Sequence, residues 1–352
     1  MVDFIQKLPK AELHLHLEGT VEAPTLTELS RRYAGAQPLP GNKYEQSGPL
    51  QELSRAEIAQ LYQYRDFQGF MMAFKAVTER LRESEDYELI TYEMMRRLQS
   101  QNILHTEVYV SVGVVHWRGR EFAAIFEGLE RARRRGEKDF GVSLLWIFDA
   151  VRHFGAQPAV RVAEEAIRCR EKSDAVVGFG IGGDERRVPA EIFREVFRKA
   201  RDSGLRLTAH AGETAGPESI WAAINIGAER IGHALTAAED PELMAVLAER
   251  QIPIEVCVSS NLRTQCCRSL AEHPVKKYFD AGLMVTLSTD DPAMFGTSLV
   301  KEYELLRREF GFTDEQLREL ARNSFEASFL PAEKKLALLK QVDSFEDDGA
   351  AL

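Results

Sequence analysis

The sequence lacks any apolar stretch close to the roughly 18 residues that a membrane-spanning helix requires, and Asp3, Lys7, Lys10 and Glu12 stand where a secretory leader would be apolar. Neither an anchor nor export is expected, and the cytoplasm is the expected location. Cysteine is scarce. The 4 present, Cys169, Cys257, Cys266 and Cys267, match neither a disulfide framework nor paired Cys-x-x-Cys zinc spacing and read as reduced thiols. Excess positive charge is also missing: 45 basic side chains face 55 acidic ones, and the net charge of −10 disfavours nucleic acid and anionic membrane as partners. What remains is an ordinary globular composition, 44% hydrophobic and 28% charged, in a 352-residue chain long enough for one large barrel or two modest domains.

Short apolar runs alternate with longer charged segments of helical spacing, the β-then-α order of a parallel α/β protein. Eight runs are legible, at 12–17, 103–111, 142–149, 175–181, 205–211, 230–235, 252–258 and 283–289, and eight argue for a closed barrel. Between them Phe193, Val196, Phe197 and Ala200 recur at i, i+3, i+4 and i+7 before Gly204, and Tyr87, Ile90, Met94 and Leu98 do likewise. Such stripes cover the outside of a parallel sheet. Residues 18–102 interrupt the alternation with a turn-rich stretch at 34–50 and the aromatic cluster Phe67, Phe70 and Phe74. They read as an insertion after the first strand, either a lid over the barrel mouth or surface decoration. The reading is one domain over 1–341, with the insertion at about 20–100, followed by an acidic tail at 342–352 that frays.

His14 and His16 alternate along the first run, so both imidazoles point to one face. His210 ends the fifth run, His233 the sixth, and Asp290 with Asp291 the eighth. These are C-terminal strand ends, the face on which barrel enzymes build their active sites. Three neutral imidazoles and one carboxylate suit a divalent ion of borderline softness, most often zinc. Glu213, just past His210, can reach water or a substrate nitrogen there, or can serve as an acid near a helix N-terminus. Gly178, Gly180 and Gly183 fit G-x-G-x-x-G, but Asp184, Glu185, Arg186, Arg187 and Pro189 precede any helix. Close approach of substrate to the backbone is the preferred reading of these glycines over a dinucleotide site. Ser259, Ser260 and Asn261 line the mouth or form a satisfied turn. Arg65 and the pair Arg152 and His153 are either solvated charge or contacts for an anionic substrate group.

Together LPKAELHLHLEGT at 8–20, VVGFGIGGDE at 176–185, TAHAGE at 208–213, ERIGHAL at 229–235, EVCVSSN at 255–261 and STDDPAMFGTSL at 288–299 resemble the adenosine deaminase family of the amidohydrolase superfamily. The resemblance runs in order over nearly the whole chain. It implies a (β/α)8 TIM barrel holding one zinc ion and hydrolysing the exocyclic amine of a 6-aminopurine nucleoside, with release of ammonia. It further implies His14, His16, His210 and Asp290 as zinc ligands, Glu213 as the proton shuttle to N1, and His233 as the group orienting the attacking water. Gly183 would donate to N3, Asp291 would meet N7, Glu18 would lie near the ribose, and His16 would also touch substrate. The fourth run ends without lysine, so a single metal is expected. Ala234 and the segment Val258, Ser259, Ser260 and Asn261 depart from the commoner family residues near the ribose side. The expected substrate is adenosine or 2′-deoxyadenosine. The alternatives are aminodeoxyfutalosine and then adenine, and from other classes a non-catalytic purine-binding barrel or a nicotinamide-dependent oxidoreductase. No oligomeric state is implied. The cytidine-type deaminase signature, His-x-Glu with Pro-Cys-x-x-Cys, is absent.

Overall fold

The structure, a computed structural model, describes residues 4–41, 48–64 and 66–345. Asp3, Arg65 and residues 346–352 of the expected tail lie outside them, as do residues 42–47 of the turn-rich stretch. Strands β1 (Lys10–His16), β2 (Ile103–Val110), β3 (Ser143–Val151), β4 (Val176–Gly182), β5 (Arg206–Ala211), β6 (Arg230–His233), β7 (Ile254–Val256) and β8 (Val285–Leu287) form one sheet in sequence order. Every neighbouring pair is parallel. The ends meet where the Asp290 N–H donates to His14 O at 3.0 Å and the His16 N–H donates to Asp290 O at 2.9 Å. The chain is a (β/α)8 TIM barrel.

The helices between the strands bury the stripes that the sequence shows. Phe193, Phe197 and Ala200 are all buried, and Phe197 packs edge-on against Phe179 of β4 at 5.6 Å. Each such phenylalanine contributes about 1.5–3 kcal/mol by leaving water. Helix Asp314–Ala327 packs across β8 and β1 and covers the closing seam. No helix among the described residues is long and apolar enough to cross a membrane.

The last three strands are shorter than the apolar runs. His233 and Ala234 take φ of 65° and 50°, so the backbone turns left-handed where extended structure had been expected to continue, and Asp290, just past the eighth run, takes 65°. Such strained positions cluster at functional sites. Val258 already belongs to a short helix, Val258–Arg263.

Gly180 and Gly182 of β4 have a packing cause as well. A Cβ on Gly180 would meet Thr208 Oγ1 at 2.8 Å, and one on Gly182 would meet His210 Cε1 at 3.2 Å and Asp149 Oδ2 at 3.1 Å. They make room for side chains filling the barrel. The next helix, Arg194–Asp202, starts well beyond them.

Between β1 and β2 lie the helices Ala23–Arg32, Arg55–Leu61, Phe67–Thr78 and Ser84–Gln99. Helix Phe67–Thr78, N-capped by the Asp66 side chain, packs against the turns Glu18–Thr20 and Pro292–Phe295 that follow β1 and β8, with Phe70 stacked on Phe295 at 5.1 Å. The opposite end of the barrel is plugged by Phe329, whose ring lies 3.8 Å from the Arg230 guanidinium carbon.

Candidate active site

Alternation in β1 sends His14 and His16 into the barrel, and His210 arrives from β5 and Asp290 from beyond β8. One potential ligand atom from each of the four lies within 4.8 Å of all the others. His16 Nε2 stands 3.1 Å from His210 Nε2, and Asp290 Oδ1 stands 3.5 Å from His14 Nε2 and 3.4 Å from His16 Nε2. All four residues are buried, and His14 Nε2 has no hydrogen-bond partner among the described residues. Burial lowers His16 to about 4 and drives His210 well below its ordinary value, so both stay neutral and free to ligate. Burial opposes charge on His14 as well, but the facing Asp290 carboxylate and the bond to Glu255 win and raise it to about 10. The two carboxylates flanking His14 thus call for a positive charge at this point. The donor set, three nitrogens and one carboxylate oxygen, fits zinc.

Around this cluster stand the remaining expected residues. His233 Nε2 lies 3.6 Å from Glu213 Oε2 and 4.0 Å from Asp290 Oδ2, and its Nδ1 faces Asn261 Nδ2 at 3.2 Å. Glu213 precedes helix Pro217–Ile226 and lies outside its first turn, so helix-dipole stabilisation does not account for it. Burial raises its carboxyl to about 8, reinforced by the charge of Asp290. A cleft of about 620 Å³ opens beside it, lined also by Arg186, Thr214, Thr236 and Cys266. The two adjacent aspartates are driven apart. Burial opposes ionisation of Asp290, but the facing His14 and the neighbouring imidazoles hold it well below the carboxylate range, whereas burial and the charge of Asp290 push Asp291 well above. Glu18 accepts from the Ser111 N–H at 3.0 Å and is raised by burial to about 7. Gly183, at φ 96°, ends the β4 glycines beside His153.

Ser260 donates to Asp290 Oδ2 at 2.7 Å, so the Ser259 to Asn261 segment supports the cluster from the helix after β7. Arg152 is neither solvated nor aimed at the mouth. It is fully buried, and its guanidinium donates to His210 O and to Val188 O, which fixes the backbone that carries His210. A long side chain reads as surface charge until its partners are known.

Three supports were not singled out from sequence. Glu255 Oε2 meets His14 Nδ1 at 2.8 Å and orients the ring. Arg230 forms close ion pairs with Glu255, 2.7 Å, and Glu107, 2.5 Å, the first too bent for a hydrogen bond. Glu185 accepts from the N–H groups of Gly212, Glu213 and Thr214 and so fixes the Glu213 backbone. The available signal was an acid inside the otherwise apolar run at 252–258, since a charge there must be paired.

Such a mouth defines a metal-dependent hydrolase barrel. The chain belongs to the adenosine deaminase family, whose sequence model matches residues 9–345. It is 38% identical to the aminodeoxyfutalosine deaminase of Streptomyces avermitilis over 97% of this chain and 92% of that protein. Identity to the adenine deaminase of Wolinella succinogenes is 34%, over 97% and 98%. A zinc-bound amidohydrolase from Burkholderia ambifaria superposes with a TM-score of 0.81 at 27% identity, covering 97% of this chain and 92% of that one. The protein is a hydrolase acting on the exocyclic amino group of purines.

Proposed function

We propose that this chain deaminates a 5′-extended adenine nucleoside, with aminodeoxyfutalosine the leading substrate, and that it does so with one zinc ion in the cytoplasm. The observation that carries the substrate is the likeness to the Streptomyces aminodeoxyfutalosine deaminase at 38% identity over nearly the full length of both chains. Adenine is the second reading, supported by the 34% likeness to the Wolinella enzyme. Adenosine and 2′-deoxyadenosine, first on sequence motifs alone, fall behind both.

His14, His16, His210 and Asp290 hold the ion in this reading. When bound, zinc lowers the pKa of water to about 7 and so makes a nucleophile available at neutral pH. Glu213, kept protonated by its burial, gives its proton to N1 as the water oxygen bonds to C6; one water proton passes to the exocyclic nitrogen, which leaves as ammonia when the C–N bond breaks, and the other returns to Glu213 as the C6 carbonyl forms. His233, between Glu213 and Asp290, orients the attacking water. Asp291, protonated beside ionised Asp290, donates to N7, and the Gly183 N–H donates to N3. The separation of the two aspartates is what allows one to ligate while the other donates. Glu18 lies toward the ribose, and the insertion at about 20–100 serves as the lid of a single barrel domain.

The test is a comparison of kcat/KM for aminodeoxyfutalosine, adenine, adenosine and 2′-deoxyadenosine with zinc-loaded protein. The extended nucleoside is expected to lead by about tenfold or more, since the ratio reports differential transition-state binding. Adenine leading by that margin selects the second reading, and no ammonia from any of them overturns both.

A further inference from the structure

An extended nucleoside of the proposed kind ends in a carboxylate, while the mouth is lined by Glu18, Asp291 and Glu213 in a chain of net charge −10. Binding it calls for a cation beyond the purine site. Arg152 is committed to backbone carbonyls. Arg263 is placed differently.

Arg263 ends the helix Val258–Arg263, one turn beyond Ser260, the residue that holds Asp290. Residues three apart share a helix face, so Arg263 leaves the helix on the side of Ser260, about 5 Å further along the axis. The guanidinium is oriented from two sides. Its Nη2 donates to Tyr62 O at 2.9 Å, and its carbon lies 4.9 Å from the centre of the Tyr64 ring. Tyr64 is fixed in turn by its hydroxyl bond to Met294 O at 2.8 Å and by packing on Phe295, just after Asp291. Tyr62 donates to Val21 O at 2.7 Å, next to the Glu18–Thr20 turn. The arginine therefore sits between the segments that follow β1 and β8, partly exposed, with its Nε carrying no hydrogen bond and with no carboxylate paired to it among the described residues. Arg118 and Arg230, by contrast, are each closed by a glutamate. With Nη2 held by Tyr62 O and Nε enclosed, Nη1 is the donor left for a carboxylate.

We propose that Arg263 is the anion anchor of the substrate site, pairing with the carboxylate of the 5′ extension and selecting acidic extended nucleosides over neutral ones. The assignment rests on the substrate proposed above, so the experiment separates the two. Wild type, Arg263→Met and Arg263→Lys are compared on aminodeoxyfutalosine, its methyl ester and adenine. Wild type is expected to prefer the acid over the ester, and Arg263→Met to collapse that preference by about 10- to 100-fold, chiefly through KM, as expected for a lost charged hydrogen bond. Arg263→Lys restores part of it, because the charge remains without the bond that orients it on Tyr62 O. If wild type prefers the acid and Arg263→Met keeps that preference, the anchor is wrong and the substrate stands. If both variants lose acid and ester equally, Arg263 is only a clamp on the Tyr62 to Tyr64 segment, and the anchor is likewise overturned. If wild type prefers adenine, the substrate assignment fails and takes the anchor with it.

Discussion

Two groups of buried carboxylates lie in the same barrel, one at the mouth and one toward the base, and burial affects them in opposite ways. At the base, Glu107 and Glu255 share the Arg230 guanidinium. Burial raises both, but Arg230 outweighs it, lowering Glu107 to about 2 and holding Glu255 below its ordinary value. At the mouth, Glu213, Glu18 and Asp149 make no ion pair with lysine or arginine among the described residues, and burial raises them to about 8, 7 and 8. The same desolvation therefore yields ionised structural groups where a fixed cation is supplied, and proton-holding groups where the positive charge is left to a ligand. In the proposed function the mouth binds an ion and moves protons because the fold does not neutralise it.

The sharpest break in this comparison comes from the proton holder itself. Glu213→Gln is expected to lower kcat by about 10²- to 10⁴-fold while metal analysis still finds one ion per chain, because the amide cannot give up its proton. Turnover close to wild type would remove Glu213 from the proton path. At the base the loss is in stability. Arg230→Met strands two buried carboxylates and is expected to cost about 3–5 kcal/mol in urea unfolding, with part recovered by adding Glu107→Gln. An unchanged unfolding midpoint would show that the base is not held by its charge pairs.

Glu255 joins the two regions through His14, and Glu255→Gln is expected to weaken metal affinity by about 10- to 100-fold in a chelator competition. Unaltered affinity would mean that the ring is oriented by packing alone. The smallest effect is a contrast in pH dependence in metal-free protein. Glu213, raised above its unfolded value of 4.5, holds a proton when folded that the unfolded chain has lost, so its contribution to stability falls as pH rises from about 4.5 to 8. Glu107, depressed to about 2, contributes stability that is present above 4.5 and is lost as pH falls toward 2. Unfolding free energies across both windows, with Glu213→Gln and Glu107→Gln compared, check the two signs. A single slope of one sign in both windows would erase the distinction.

Much of the mouth was legible before the fold was known. The His14 and His16 pair, His210 and Asp290 all stand at the ends of apolar runs, and the structure gathers them. The base was not legible, because Arg230 and Glu255 acquire meaning only as partners, and each lies in a run that looks like a plain strand. Arg152 shows the same limit, since its sequence surroundings do not reveal that it ends on the His210 carbonyl.

The sequence by itself determined the alternation of strand and helix, the common face of His14 and His16 and the family, since these depend on periodicity and motif over short stretches of chain. Only the tertiary structure decided which groups join β8 to β1, with the His14 N–H donating to Ser288 Oγ across 274 positions at 3.2 Å, and that burial divides the carboxylates into paired and unpaired groups. The reason is physical. Whether a charged side chain is neutralised, protonated or open to a ligand depends on the nearest counter-charge and on exclusion of water, and both come from residues distant in the chain.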